Sequence, residues 1–318
     1  MIFFAGAFPF PRESQSEAAR RRLPSTHAAF INFVMRTRLY LNLALASLAA
    51  LLLTLNAGAA RAQDAAGAKP GATPATPNAK PAEDEKALAV LARAVEVMGG
   101  RAYADVKSIT SSGYYTPFQG GVGALPIKFQ DYTVFPDRVR TEFSGAGNKS
   151  VQVNVGEGGW VADLKTKKIT DVTAQGADDF RLLLRTSLDS ALRGWWRGEG
   201  ASLSYAGRRE AGLARRNEAV RLKYPDGFEV ELEFDAKEGL PSKVKYKKQN
   251  EEGEQVEEED RYAQFQTIGA VLTPFIIDHY RAGVQSSRVN YEKVDFNVLV
   301  PDALFAKPDD VKKVKLSL

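Results

Sequence analysis

The chain of 318 residues has no cysteine, two histidines and three methionines. Without Cys there can be no disulfide framework, no thiolate metal site, no iron–sulfur cluster and no cysteine nucleophile. Histidine is almost as scarce: His27 falls in an N-terminal segment set apart below, leaving His279 alone in the remainder. No metal site and no cofactor are therefore expected, and of the common site chemistries only carboxylate chemistry passes this filter. An excess of one charge is also missing. Residues 1–62 hold seven of the 43 basic side chains and two of the 39 acidic ones, so the rest of the chain carries 36 against 37. A neutral chain has no polyelectrolyte footprint, which argues against nucleic acid as a partner.

The basic N-terminus has a mechanical reading. Met35-Arg36-Thr37-Arg38 is a short positive start, followed by an apolar run from Leu39 to Leu55 and the small residues Ala60 and Ala62 before Gln63. That order predicts a secretory signal over 35–62, cut before Gln63, rather than a membrane anchor, for which the run is short. No Cys follows the cut, so lipid cannot be attached there, and the product is expected to be soluble and periplasmic. Residues 1–34 read as an upstream or mis-started segment. Residues 63–83, rich in Ala, Pro and Gly, have little to bury and read as a flexible linker. The folded domain is expected over 84–318.

Periodicity gives the elements. Leu88, Leu91, Val95 and Met98 recur at helical spacing behind Asp84 and Glu85, and Gly99-Gly100 stops the run. A longer helix is predicted over 177–196, with Phe180, Leu183, Leu184, Leu188, Ala191, Leu192 and Trp195 on one face. Asp178 and Asp179 read as its capping carboxylates; Trp196, about 100° further round, is the candidate for a pocket mouth or membrane contact. Most of the remainder alternates as strands. Val220, Leu222 and Tyr224 lead through Pro225-Asp226-Gly227 to Phe228, Val230, Leu232 and Phe234. In that register Lys223 meets Glu229, Arg221 meets Glu231, Glu233 meets Lys243 and Glu231 meets Lys245, giving one apolar face and one charged, wet face. About eleven antiparallel strands and two helices predict an α+β domain with a curved sheet over helices. If the fit is tight the interior is a plain core; if the sheet stands away, the same residues line a dry cavity able to take an acyl chain.

The order of several pieces carries a resemblance. The signal is followed by the helix ending Met98-Gly99-Gly100, then strands broken by Phe135-Pro136-Asp137-Arg138-Val139-Arg140 and the hairpin Gly159-Trp160-Val161-Ala162-Asp163. After the amphipathic helix come Gly239-Leu240-Pro241, a stretch with Phe265, Gly269 and Pro274, and Val300-Pro301-Asp302-Ala303-Leu304-Phe305. Together these resemble the outer-membrane lipoprotein-sorting (LolA-like) family from about Glu85 to Pro308. The resemblance implies an incomplete antiparallel barrel lidded by helices, whose hydrophobic interior receives lipid or lipoprotein acyl chains. On that reading the lining is Phe129, Phe143, Trp160, Phe180, Leu183, Leu184, Leu188 and Trp195. The lid-gating arginine of the family has Arg138, Arg140 and Arg181 as candidates.

Other constellations read more plainly. Gly156-Glu157-Gly158-Gly159 lacks the Lys-Ser/Thr ending of a phosphate loop and fits a hairpin turn. His279 has no nucleophile elbow near it and fits an ordinary strand histidine. The leading expectation is a non-enzymatic, monomeric periplasmic carrier that meets an envelope membrane protein transiently. The alternative is an envelope-stress sensor or protease-associated interaction module on the same fold.

Overall fold

The computed structural model describes residues 82–250 and 253–318; the segments 1–34 and 35–62, and all of the linker but its last two residues, lie outside them. Asp84 caps the first helix, α1 (Glu85–Val97), by accepting hydrogen bonds from the backbone of Lys86 and Ala87. Gly99 ends the run at φ 124°, where an added Cβ would lie 2.4 Å from the carbonyl oxygen of Ala270. A single turn, α2 (Arg101–Ala104), leads into the sheet.

Among the described residues the sheet contains fourteen strands rather than about eleven. β1 (Ser108–Gln119) lies in its middle, with a short arm β2 (Val122–Gly123) paired to its end. On one side run β3 (Ile127–Val134), β4 (Arg138–Gly145), β5 (Asn148–Val155), β6 (Gly158–Asp163) and β7 (Lys168–Asp171). On the other side β14 (Val284–Phe296) borders β1, followed by β13 (Val271–Arg281), β12 (Gln255–Ile268) and β11 (Pro241–Gln249). β10 (Glu229–Asp235), β9 (Arg216–Lys223) and β8 (Ser202–Glu210) complete that wing. Every pairing is antiparallel and the sheet does not close. The strands not foreseen are β2 and β8, where a register shift between Tyr205 and Gly207 breaks the alternation. Residues 82–84, read as the linker's end and the domain's first residue, bind along β8: Leu203 donates to the carbonyl of Ala82, and Asp84 donates to that of Leu203.

The hairpin register is the one the charges demand. Lys223 faces Glu229, Arg221 faces Glu231, Glu233 faces Lys243 and Glu231 faces Lys245. Val230, Leu232, Phe234 and Val244 are buried on the inner face. One detail differs. Glu233 lies on the outer face but is covered, with the Asn217 amide at 2.9 Å and Lys243 at 3.6 Å, because its neighbours in the ladder fold over it.

The predicted helix 177–196 is interrupted. α3 (Ala174–Thr186) stops at Ser187, whose backbone is extended; its hydroxyl accepts from the amide of Ser190 and starts α4 (Leu188–Arg193). Gly194, left-handed, ends α4, and a 3-10 turn holds Trp195–Arg197. These interruptions change the helical phase, so Trp196 is the buried member of the pair and Trp195 is half-buried. The capping role read for Asp178 and Asp179 belongs to Thr173, since the helix begins earlier.

Because β7 and β8 are consecutive in the chain but lie at opposite margins, the α3–α4 segment must cross from one margin to the other. The buried faces of both helices meet the inner side. The main core packs α1, α4 and Trp196 against Val220, Leu222, Val230, Leu232, Val244 and Ile277 of the β8–β13 wing.

Candidate functional site

The register of β3–β6 sorts the expected lining residues by face. Phe129 pairs with Phe143, and Phe143 with Ser150, whereas Trp160 pairs with Val153 and Val153 with Arg140. Directly paired residues share a face and neighbours along a strand alternate. Phe129 and Phe143 therefore look inward and Trp160 outward. Trp160 is not part of the interior. It packs with Val151, Val153, Ala162, Val300 and Phe305 beneath the C-terminal segment, and its indole N–H donates to the carbonyl of Phe305 at 3.0 Å.

Six of the remaining seven fall into two groups. Phe129, Phe143 and Leu188 join the main core, where Phe129 meets the ring of Tyr291 edge-on at 5.6 Å and Phe143 meets Tyr115 at 6.2 Å. Phe180 packs separately on Val139, with Leu183, Leu184 and Phe135 around them. Trp195 lies edge-on to Phe135 at 5.2 Å, outside both groups.

What divides the two groups is a polar row that sequence reasoning missed. Asp131 and Thr141 are the next inward positions after Phe129 and Phe143, followed by Thr133 with Val139, and Asn154 beside Val139 on β5. All are buried. The Oδ1 of Asp131 and both amide atoms of Asn154 have no hydrogen-bond partner. Burial pushes the Asp131 carboxyl up to about 7, with the Thr141 hydroxyl opposing and the Glu142 charge adding to the rise. The signal was present: Asp131 stands at the same parity as Ile127 and Phe129 in an otherwise alternating strand.

The two helices over this face are held differently. α4 is fixed from below. Asp189 accepts from the Tyr103 hydroxyl and from Arg193 Nε, both at 2.8 Å. The Arg193 guanidinium donates to the carbonyls of Tyr103, Ala104 and Val106 and lies 4.4 Å over the Phe135 ring. By contrast, α3 is tied at its rim: Asp179 to Lys248 at 2.7 Å, Arg181 to Glu157 at 3.4 Å, and Arg185 to Asp226 at 2.5 Å and Glu199 at 2.6 Å. The exposed Arg181–Glu157 pair contributes about 0–1 kcal/mol, whereas the Asp179 and Arg185 pairs are partly buried. Of its apolar residues Phe180 is buried, while Leu182, Leu183 and Leu184 are half-buried. Of the three arginine candidates only Arg181 lies on the covering helix; Arg138 and Arg140 face outward, toward the C-terminal segment.

At the far side of the inner face, His279 on β13 sits opposite Asp260 on β12 and Ser287 on β14. Its Nδ1 is 2.5 Å from Asp260 Oδ1, and its buried Nε2 has no partner. Burial disfavours the charged ring, but the Asp260 carboxylate outweighs it and the pKa is raised. The Gly156–Gly159 stretch is the β5–β6 turn, as expected. Among the described residues no group of His, Asp and Glu is arranged to hold a metal, and no helix is long and apolar enough to cross a membrane.

The chain matches no protein-family model and no curated protein. Solved structures do match. A DUF1329 family protein from Desulfovibrio piger aligns with 69% of this chain and 97% of its own, at 14% identity and a TM-score of 0.50. A LolA superfamily protein from Nitrosomonas europaea aligns with 70% of this chain and 97% of its own, at 15% identity and a TM-score of 0.49. The chain shares the fold of the DUF1329 protein. The unclosed antiparallel sheet, its two meanders and the helices spanning its margins are the architecture that the resemblance implied. At such identity the likeness shows a shared fold alone and says nothing of a cargo.

Proposed function

We propose that this chain is a periplasmic, non-enzymatic carrier that holds the acyl chains of a lipid or lipoprotein between α3 and the inner face of β3–β5. The observation that supports this reading is the mismatch beneath α3. A helix tied by rim ion pairs covers an inner face on which the Asp131 oxygen and the Asn154 amide lack partners. Beside them stand Phe180, Val139 and the half-buried Leu183 and Leu184. Buried polar atoms without partners are costly, and an amphiphile offers both a partner for them and methylenes for the leucines. A sixteen-carbon tail supplies on the order of 10 kcal/mol from burial before ordering costs. The lining on this reading is Phe180, Leu183, Leu184, Val139, Phe129 and Phe143, with Asp131 and Asn154 facing the polar end. A membrane protein of the envelope would deliver or receive the cargo.

Native mass spectrometry of protein purified from the exporting cell tests the assignment. The expected result is a lipid adduct, with a melting temperature that falls when the lipid is extracted and recovers when a long-chain lipid is returned. Protein that emerges empty, with a melting temperature indifferent to lipid, sinks the carrier reading.

A further inference from the structure

The outer face of β3–β6 carries a second feature, unrelated to the interior. Arg140 and Glu142, neighbours on one face of β4, form an ion pair at 2.8 Å with side-chain exposures of 5% and 0%. A buried ion pair is tolerable only when its remaining donors and acceptors are also met. Here the C-terminal segment meets them, and it does so with its main chain. Arg140 donates to the carbonyls of Leu304 and Lys315, both at 2.9 Å, and Glu142 accepts from the amide of Ser317 at 2.6 Å.

The segment has two parts that are held very differently. Its first part is anchored by side chains: Val300 and Phe305 are buried, Asp302 binds Arg138 at 2.6 Å and Lys307 binds Asp171 at 2.6 Å. In residues 309–318, by contrast, the polar side chains bond within the segment, as Lys313 does to Asp309. Val314 and Leu316, two residues apart and half-buried, are what it lays on the sheet. Val311–Lys313 form a 3-10 turn, and from Val314, which is extended, the segment makes its contacts with the sheet. Recognition through main-chain atoms and two alternate aliphatic side chains thus reads the shape of residues 314–317 rather than one sequence. Any extended segment with that spacing can satisfy the same contacts.

We propose that the surface centred on Arg140, Glu142 and Trp160 is a binding site for an extended peptide segment of a partner protein, with aliphatic side chains two residues apart. Residues 309–318 occupy it in cis as the resident competitor. The ion pair cannot stand bare, so exchange of one segment for another, rather than vacancy, is the mode of use.

The test uses the full chain with Val314→Asp and Leu316→Asp, which loosens the segment in place, and a dye-labelled synthetic peptide of the sequence of residues 309–318. Releasing the competitor should tighten peptide binding by roughly tenfold or more over the unsubstituted chain, read by fluorescence anisotropy. Adding Arg140→Met with Glu142→Leu, an apolar replacement that buried ion pairs tolerate, should abolish that binding while the β-sheet circular dichroism persists. Hydrogen exchange on the unsubstituted chain gives an independent reading: the Ser317 amide should exchange far faster than amides of β4 and β5. The proposal is overturned by peptide binding no tighter in the loosened chain, or by binding that survives loss of the ion pair. Loss of the sheet signal on loosening, or Ser317 protection equal to that of β4, would make the segment part of the core and overturn it too. Concentration-dependent dimers that vanish with Val314→Asp and Leu316→Asp would make a second copy the occupant and overturn the partner assignment.

Discussion

Asp131 and Thr141 face each other across β3 and β4, one step along the strands from the Phe129–Phe143 pair and on the same side of the sheet. A carboxyl in that place belongs to an interior that has not been made wholly apolar, and it links the candidate site to pH. Its folded-state value of about 7 stands above the unfolded 3.8. The unfolded chain therefore gives up this proton first as pH rises, and stability falls between those two values and levels off above them. Between pH 5 and 8 the group should cost about 3 kcal/mol. Urea titrations of wild type and Asp131→Asn at both pH values check this: the variant should lose that part of the slope. Equal slopes would place Asp131 in a wetter setting than the one described.

The β9–β10–β11 meander gives a test of face. Leu232 is buried against Val244 and Val220, so Leu232→Asp should unfold the domain or nearly so. Glu231 sits on the other face between Arg209 at 3.0 Å and Arg221 at 2.9 Å, and Glu231→Gln should cost about 1 kcal/mol or less. Thermal melts of the two variants read the difference directly. Comparable losses would contradict the face assignment.

That meander was legible because each of its strands alternates charge with hydrophobe and the opposed charges admit one register. β3–β6 were harder. Both of their faces are covered, one by helices and one by the C-terminal segment, so alternation alone could not say which side Trp160 takes. The break at Ser187 was invisible for a related reason. The apolar spacing runs on through it from Leu184 to Leu188, and only the extended backbone of Ser187 reveals two helices. The polar row on β3 and β4 could have been read from Asp131, which keeps step with Phe129.

The same break decides where bulk can be added. Ala191, on α4, is seated in the main core and its carbonyl accepts from the indole of Trp196 at 3.2 Å. Ala191→Trp should therefore melt early, by about 1 to 3 kcal/mol of overpacking. Leu183, half-buried on α3, should accept Trp with little loss of stability yet diminish any lipid-dependent rise in melting temperature. Differential scanning fluorimetry with and without a long-chain lipid distinguishes the two. A Leu183→Trp chain that keeps the full lipid response would move the lining away from α3.

His279 offers a test of electrostatics away from α3. The Asp260 carboxylate raises its pKa, so the stability this pair contributes is present below the ordinary histidine value and is lost as pH climbs through the raised one. In Asp260→Asn the His279 pKa, followed by NMR of the imidazole protons, should drop below that of wild type, since burial then acts unopposed. An unchanged titration would mean that the close contact does not govern the ring.

β7 and β8 succeed each other in the chain and form the two margins of the sheet. A closed barrel has its girth fixed by an unbroken ladder of hydrogen bonds, whereas here the margins are joined covalently through residues 172–201 and the angle at Ser187. The two margins are thus held to one another by the chain itself, through two helices that meet at Ser187, as well as by the hydrogen-bond ladder between the strands.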